Sequence, residues 1–203
     1  MKENKYDDDV FFNKYKEMNR SVQGLEGAGE WSQLKQLLPD FEGKRVLDLG
    51  CGYGWHCIYA AQQKAASVHG VDISKKMLAV AEEKSRDYAI TYQCSAMEDL
   101  QFSKESFDVV ISSLAFHYVK DFKQLAAAIS TWLTPKGSFV FSVEHPVFTA
   151  YGTQAVSYTH LDVYKRQGLL SVQLYLYPKT GYLLYFTGGL FEHQGGCERF
   201  HPI

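Results

Sequence analysis

Apolar and polar positions alternate between two periods from residue 44 to residue 143. Lys44 to Leu49, Ser67 to Asp72, Ile90 to Cys94, Ser106 to Ser113 and Ser138 to Val143 are short β-prone runs and read as strands. Between them, Tyr53 to Ala66, Lys75 to Arg86 and the set Leu125, Ile129, Trp132 and Leu133 read as helices. Pro135 and Gly137 end the last helix and turn the chain into the fifth strand. Alternation of this kind predicts an α/β fold, a parallel sheet with crossover helices. Upstream, Phe11, Phe12, Tyr15 and Met18 lie one helical turn apart behind Asp7, Asp8 and Asp9, acids that cap a helix and favour its N-terminus. Trp31, Leu34, Leu37 and Leu38 predict a second helix, stopped by Pro39.

The first strand carries one acid and ends in glycines at alternate positions: Asp48-Leu49-Gly50-Cys51-Gly52-Tyr53-Gly54. A buried strand, a tight turn and a helix start place backbone amides against a ligand, and glycine lets the backbone approach it closely. The dinucleotide fingerprint Gly-x-Gly-x-x-Gly fits less well, because its third glycine falls on Trp55. A nicotinamide-dependent oxidoreductase is therefore the weaker reading. The second strand ends in Asp72, placed to accept from both vicinal hydroxyls of a ribose, or else to cap the next helix. Ser74 is better placed for the cap. Ligands of such sheets bind at the carboxyl ends of the strands, where Gly50 to Gly54, Asp72, Ala96 and Ser113 converge.

The stretch from Asp48 to Gly54 resembles motif I of the class I S-adenosylmethionine-dependent methyltransferases, and Phe107-Asp108-Val109-Val110 with Ser112 and Ser113 resembles their fourth strand. The resemblance covers residues ~6 to 154 and is to the small-molecule type. It implies a Rossmann-like sheet and S-adenosyl-L-methionine as cofactor. The implied contacts are Asp48, Gly50, Cys51, Gly52, Gly54, Asp72, Ile73, Ala96, Met97 and Ser113, with Ala96 and Met97 beside the adenine. It also implies a closing N-terminal lid over residues 1–40, with Tyr15 and Arg20 as contacts, although two plain packing helices explain the same pattern. Where the family often has a second glycine, this chain has Lys136.

Transfer of an activated methyl group asks the protein mainly to position donor and acceptor, with a base where the acceptor carries a proton. His117, just past the fourth strand, is the catalytic candidate, and His145 and Glu144 are weaker ones; each could equally be a packing residue. Cys51 reads as a small packing residue rather than a reactive thiol.

With 203 residues, 46% hydrophobic and 22% charged content and a net charge of -2, the chain reads as one globular domain. The balance gives no reason to expect nucleic acid or a membrane surface as partner. The four cysteines suggest neither a zinc site nor a disulfide framework. No signal-peptide pattern or membrane-length apolar run is present, so a cytoplasmic enzyme with a small-molecule acceptor is expected.

Past residue 155 the α/β logic fails. Val156 to Gln167 resembles translated cloning or adaptor sequence, and 156–203 is expected to be a foreign tail on a domain of residues 1–155. The sheet is then incomplete after the fifth strand, its exposed edge makes the chain aggregation-prone, and a truncated, non-catalytic cofactor-binding fragment becomes the alternative function. The competing reading pairs Leu169 to Tyr177 with Tyr182 to Phe186 as a hairpin.

Overall fold

The computed structural model describes residues 4–144, 169–177 and 181–188, with side chains described for 4–143. A 3-10 turn (Lys5–Asp7) leads into helices α1 (Asp9–Lys16), α2 (Asn19–Val22) and α3 (Trp31–Leu37). The alternating unit follows: β1 (Arg45–Leu49), α4 (Trp55–Gln62), β2 (Ser67–Asp72), α5 (Lys75–Lys84), β3 (Ile90–Cys94), β4 (Phe107–Ser113), α6 (Phe122–Trp132) and β5 (Leu133–Glu144). Strands β6 (Leu169–Tyr177) and β7 (Gly181–Gly188) complete one sheet in the order β3-β2-β1-β4-β5-β6-β7.

The first five strands pair in parallel, as the alternation predicts. The sequence order turns back between β1 and β4, so the carboxyl ends of these two strands open the crevice in which such sheets hold ligands. Burial explains the near-continuous apolar runs: Val46, Leu47, Leu49, Val109, Val110 and Ile111 are almost wholly enclosed, with helices over both faces. One face packs Leu47, Leu49 and Val110 against α6 residues Leu125, Ile129 and Trp132; the other packs Val46, Val109 and Ile111 against Cys57 and Ala60 of α4.

One expectation is corrected. The sheet does not stop after the fifth strand: β6 runs antiparallel along β5 from Ser138↔Tyr175 to Glu144↔Leu169, and β7 runs antiparallel along β6. The reason is the backbone requirement itself. An open β5 edge offers unpaired donors and acceptors, and the β-prone stretch from Leu169 satisfies them. The edge expected at β5 is therefore covered. Residues 156–167 lie outside the described residues.

The other departures are at element ends. The fourth crossover meets β5 five residues earlier than expected, because Leu133 already pairs with Phe107 before a register shift carries Ser138 opposite Val109. Lys136, in that irregularity, has φ 75, a left-handed conformation that favours glycine. That is the physical reason for a glycine at this position.

Candidate active site

The glycine turn is held from the neighbouring strand. The amides of Gly50 and Cys51 both donate to the Val71 carbonyl, at 2.8 and 2.9 Å, and the amide of Gly52 donates to Asp72 Oδ2 at 2.8 Å. Three consecutive loop amides are thus spent on the last two residues of β2. What remains for a ligand is the first turn of α4, whose cap position, Gly54, offers no side-chain acceptor. Gly50 (φ 76) could not carry a side chain, since a Cβ there would strike the Cβ of Ala115. At Gly52 (φ 53) nothing lies within 4 Å of such a Cβ, so the loop presents an open, side-chain-free face.

The two strand-end acids differ in setting. Asp48 is buried, 1% exposed, beneath the loop; Cys57 Sγ donates to its Oδ2 at 3.3 Å and its Oδ1 has no partner. Burial pushes its pKa up to about 7, with the thiol hydrogen bond opposing and the Asp72 charge adding. Asp72 is fixed at both oxygens, Oδ2 by Gly52 and Oδ1 by the Ser74 amide at 2.8 Å. Burial raises its pKa as well, against those two backbone donors. The helix cap belongs to Ser74, whose Oγ accepts from the Met77 amide at 3.2 Å.

The remaining sequence-predicted residues gather at the same strand ends. Met97 Cε approaches within 3.5 Å of the position a Cβ would take on Gly50, and Ala96 is buried beside it. The Ile73 carbonyl accepts from Asn4 Nδ2 at 3.3 Å. Cys51 is enclosed, and burial pushes its thiol up to about 11, which suits packing and not nucleophilic chemistry. Ser113 turns its hydroxyl to Glu30 Oε1 at 3.0 Å and to Ser142 Oγ at 3.1 Å. His117 is half-buried on the 3-10 turn Phe116–Tyr118, its ring 4.1 Å from that of Tyr118. His145 and the Glu144 side chain lie outside the described residues.

The N-terminal segment covers this site. Phe12 joins Tyr53 and Met77 in one apolar cluster, with Tyr6, Tyr15 and Trp55 packed against it. Asp8 caps α1 as the sequence predicts, accepting from the Phe11 amide at 2.9 Å. Asp7 does something the sequence did not reveal. Its Oδ1 accepts from Ser74 Oγ at 2.5 Å and from the Lys76 amide at 3.1 Å, on the first turn of α5. Lys76 Nζ returns the contact, donating to the Asp7 carbonyl and to Asp9 Oδ1, each at 2.6 Å. Three adjacent aspartates look alike in sequence, and only the tertiary contact separates cap from latch. Arg20 finds its carboxylate within the chain, at Glu30 Oε1, 2.7 Å away. Burial would raise the Glu30 pKa, but the Arg20 charge, a backbone hydrogen bond, the nearby His56 and the Ser113 hydroxyl together outweigh it and hold the carboxyl below its usual range. His56, beside them, is pushed down to about 4 by burial, against the pull of Glu30, and stays neutral.

A methyltransferase domain profile matches residues 47–141. A solved Listeria monocytogenes chain assigned to the S-adenosylmethionine-dependent methyltransferases is 40% identical, covering 78% of this chain and 76% of that one, with a TM-score of 0.59. The chain belongs to the S-adenosylmethionine-dependent methyltransferases. A Mesorhizobium loti methyltransferase of that class is 46% identical over 63% of this chain and 59% of its own, with a TM-score of 0.61. A Haemophilus influenzae protein is 36% identical over 152 residues, and this chain spans 60% of that relative's length. The family's cofactor suits the residues present: an open glycine turn, a pre-positioned carboxylate at the β2 end, and an unpartnered buried oxygen at Asp48. Among the described residues no helix is long and apolar enough to cross a membrane, and no group of three or more metal-ligating side chains occurs.

Proposed function

We propose that this chain transfers the methyl group of S-adenosylmethionine to a small-molecule acceptor in the cytoplasm. Nucleic acid and membrane surfaces are not its partners, a reading supported by 21 basic against 23 acidic side chains. The observation that carries the proposal is Asp72, locked by two backbone amides at the strand end beside the glycine turn. Each of its oxygens keeps lone-pair capacity for a vicinal hydroxyl. Ile73, Ala96 and Met97 continue that wall toward the adenine, and Gly50, Cys51, Gly52 and Gly54 form the backbone floor, with Asp48 beneath it. Ser113, through Glu30, sets the far end of the crevice.

When bound, the cofactor supplies an activated methyl on a sulfonium. The chain's residues orient it, exclude water under the N-terminal lid of residues 1–40, and leave His117 at the rim to take a proton from acceptors that carry one. Residues 1–155 carry this activity, and the adaptor-like string of residues 156–167 plays no part in it.

Calorimetric titration of the 203-residue chain with S-adenosylhomocysteine tests the reading. One-to-one binding is expected, weakened at least ~100-fold in Asp72→Ala by loss of charge-assisted hydrogen bonds of about 1.5–3 kcal/mol each. A chain that unfolds cooperatively yet binds no S-adenosylhomocysteine would sink the proposal.

A further inference from the structure

The two strand-end carboxyls are equipped unequally. Asp72 has a backbone amide on each oxygen. Asp48, buried under the glycine turn, has the Cys57 thiol on Oδ2 at 3.3 Å and no partner on Oδ1. A thiol is a weak donor, and an ionised carboxylate has about four lone-pair sites to satisfy. The titratable groups that face Asp48 are Cys51 of the turn, Cys57 of α4, Asp72 of β2 and Tyr92 of β3. On the β4 side its register partner is the apolar Ile111, and on the β2 side Gly70. None of these groups is a cation, and the one charge among them, Asp72, repels. A buried anion without donors or counter-charge gives way to its neutral form, so Asp48 carries a proton in the unliganded chain. Its pKa, pushed up to about 7 by burial, agrees with that donor set. What this carboxyl lacks is a positive charge brought to the turn above it.

We infer that Asp48 is the residue by which the site tells the charged cofactor from its product: it releases its proton when S-adenosylmethionine binds and keeps it when S-adenosylhomocysteine binds. The inference rests on the methyl-transfer reading and concerns the same site. S-adenosylmethionine carries a sulfonium and an ammonium against one carboxylate, a net positive charge. In S-adenosylhomocysteine the sulfur is neutral, and the ammonium and carboxylate balance. A nearby positive charge favours the ionised form of a carboxyl, so the two ligands bias Asp48 differently. On ionisation the Asp48 O–H bond breaks, its electron pair stays on the carboxylate and the proton passes to solvent. Asp48 takes a proton back once the positive charge has gone, and the site then holds the product less tightly than the cofactor. A carboxyl that only packed would be served as well by an apolar isostere.

The test is calorimetric titration of the 203-residue chain with each ligand at pH 6, in buffers of different ionisation enthalpy. The dependence of the heat on the buffer counts the protons released, and at this pH an α-amino group, with a pKa of about 8, stays charged throughout. S-adenosylmethionine should release about 0.9 proton, the protonated fraction of a group whose pKa lies about one unit above the pH. S-adenosylhomocysteine should release less than about a third as much, and Asp48→Asn should abolish the difference between the ligands. Infrared difference spectra decide the matter if Asp48→Asn does not bind. The protonated-carboxyl band of the wild-type chain should fall on S-adenosylmethionine, persist on S-adenosylhomocysteine, and be weaker by one carboxyl in unliganded Asp48→Asn. Equal release with both ligands, no release with S-adenosylmethionine, a difference that survives Asp48→Asn, or a band that S-adenosylmethionine leaves unchanged overturns the inference. If both ligands bind and the difference is absent, this inference alone fails. If neither binds the folded chain, the methyl-transfer reading fails and takes this one with it.

Discussion

The glycine turn is gripped from below by the sheet and from above by residues 4–16, and the two grips differ in kind. Below, the hold is backbone hydrogen bonding from β2 inside an apolar core. Above, it is a polar latch of Asn4, Asp7, Ser74 and Lys76 with a layer of aromatic rings. A core of interlocked strands yields only by unfolding, whereas a latch of side-chain contacts opens locally at much lower cost. Under the proposed methyl transfer, the rigid part would hold the cofactor and the locally opening part would let a product leave.

Substitutions can separate the two grips. The largest effect is expected at the floor: Gly50→Ala combines a left-handed φ with a Cβ collision at Ala115, and should cost about 3 kcal/mol in urea unfolding and abolish S-adenosylhomocysteine binding. Asp48 should show the reverse sign. Its folded pKa of about 7 lies above that of an unfolded aspartate near 4, so its favourable contribution is complete below about pH 4 and is lost as pH rises to about 7. Asp48→Asn should therefore flatten that slope and stabilise the chain by about 2 kcal/mol at pH 8, while weakening cofactor binding.

Effects at the cover should be smaller and local. Burial tends to raise the Asp7 pKa, but hydrogen bonds from Ser74, the Lys76 amide and Asn4 outweigh it and hold it below the usual value. The latch is then present at neutral pH and lost as pH falls through that depressed value. Asp7→Asn should cost about 1–2 kcal/mol of lid closure, seen as faster hydrogen exchange in residues 4–16 with the protection of β1 and β4 unchanged. Loss of protection throughout the chain would show that floor and cover are one cooperative unit. Smallest of all, Lys136→Gly should add about 0.5–1 kcal/mol by relieving φ 75, leaving lid exchange untouched.

The same division governs what was legible in the sequence. Strand periodicity, the spacing of Gly50, Gly52 and Gly54, and the acid at Asp72 are local signals, and each stands where the pattern predicts. The latch was not legible, because Asp7 meets Ser74 across 67 positions of sequence and nothing local separates it from Asp8. The Arg20–Glu30 pair was not legible either, because Glu30 lies past a glycine-rich joint whose path the sequence leaves open. Strands β6 and β7 are legible as a hairpin, but a β-prone hairpin carries no sign of which sheet edge it will join.

The Val71 carbonyl, which receives both Gly50 and Cys51, has a consequence for how such a chain can evolve. The glycine turn and the Asp72 carboxylate are both held at the end of β2, so a one-residue slip in β2 would displace them together. Insertions and deletions between residues 67 and 72 should thus be absent from functional descendants, and the segment from 17 to 29 is constrained as well, by buried Ser21, the Arg20–Glu30 pair and Gly24 packed on Trp55.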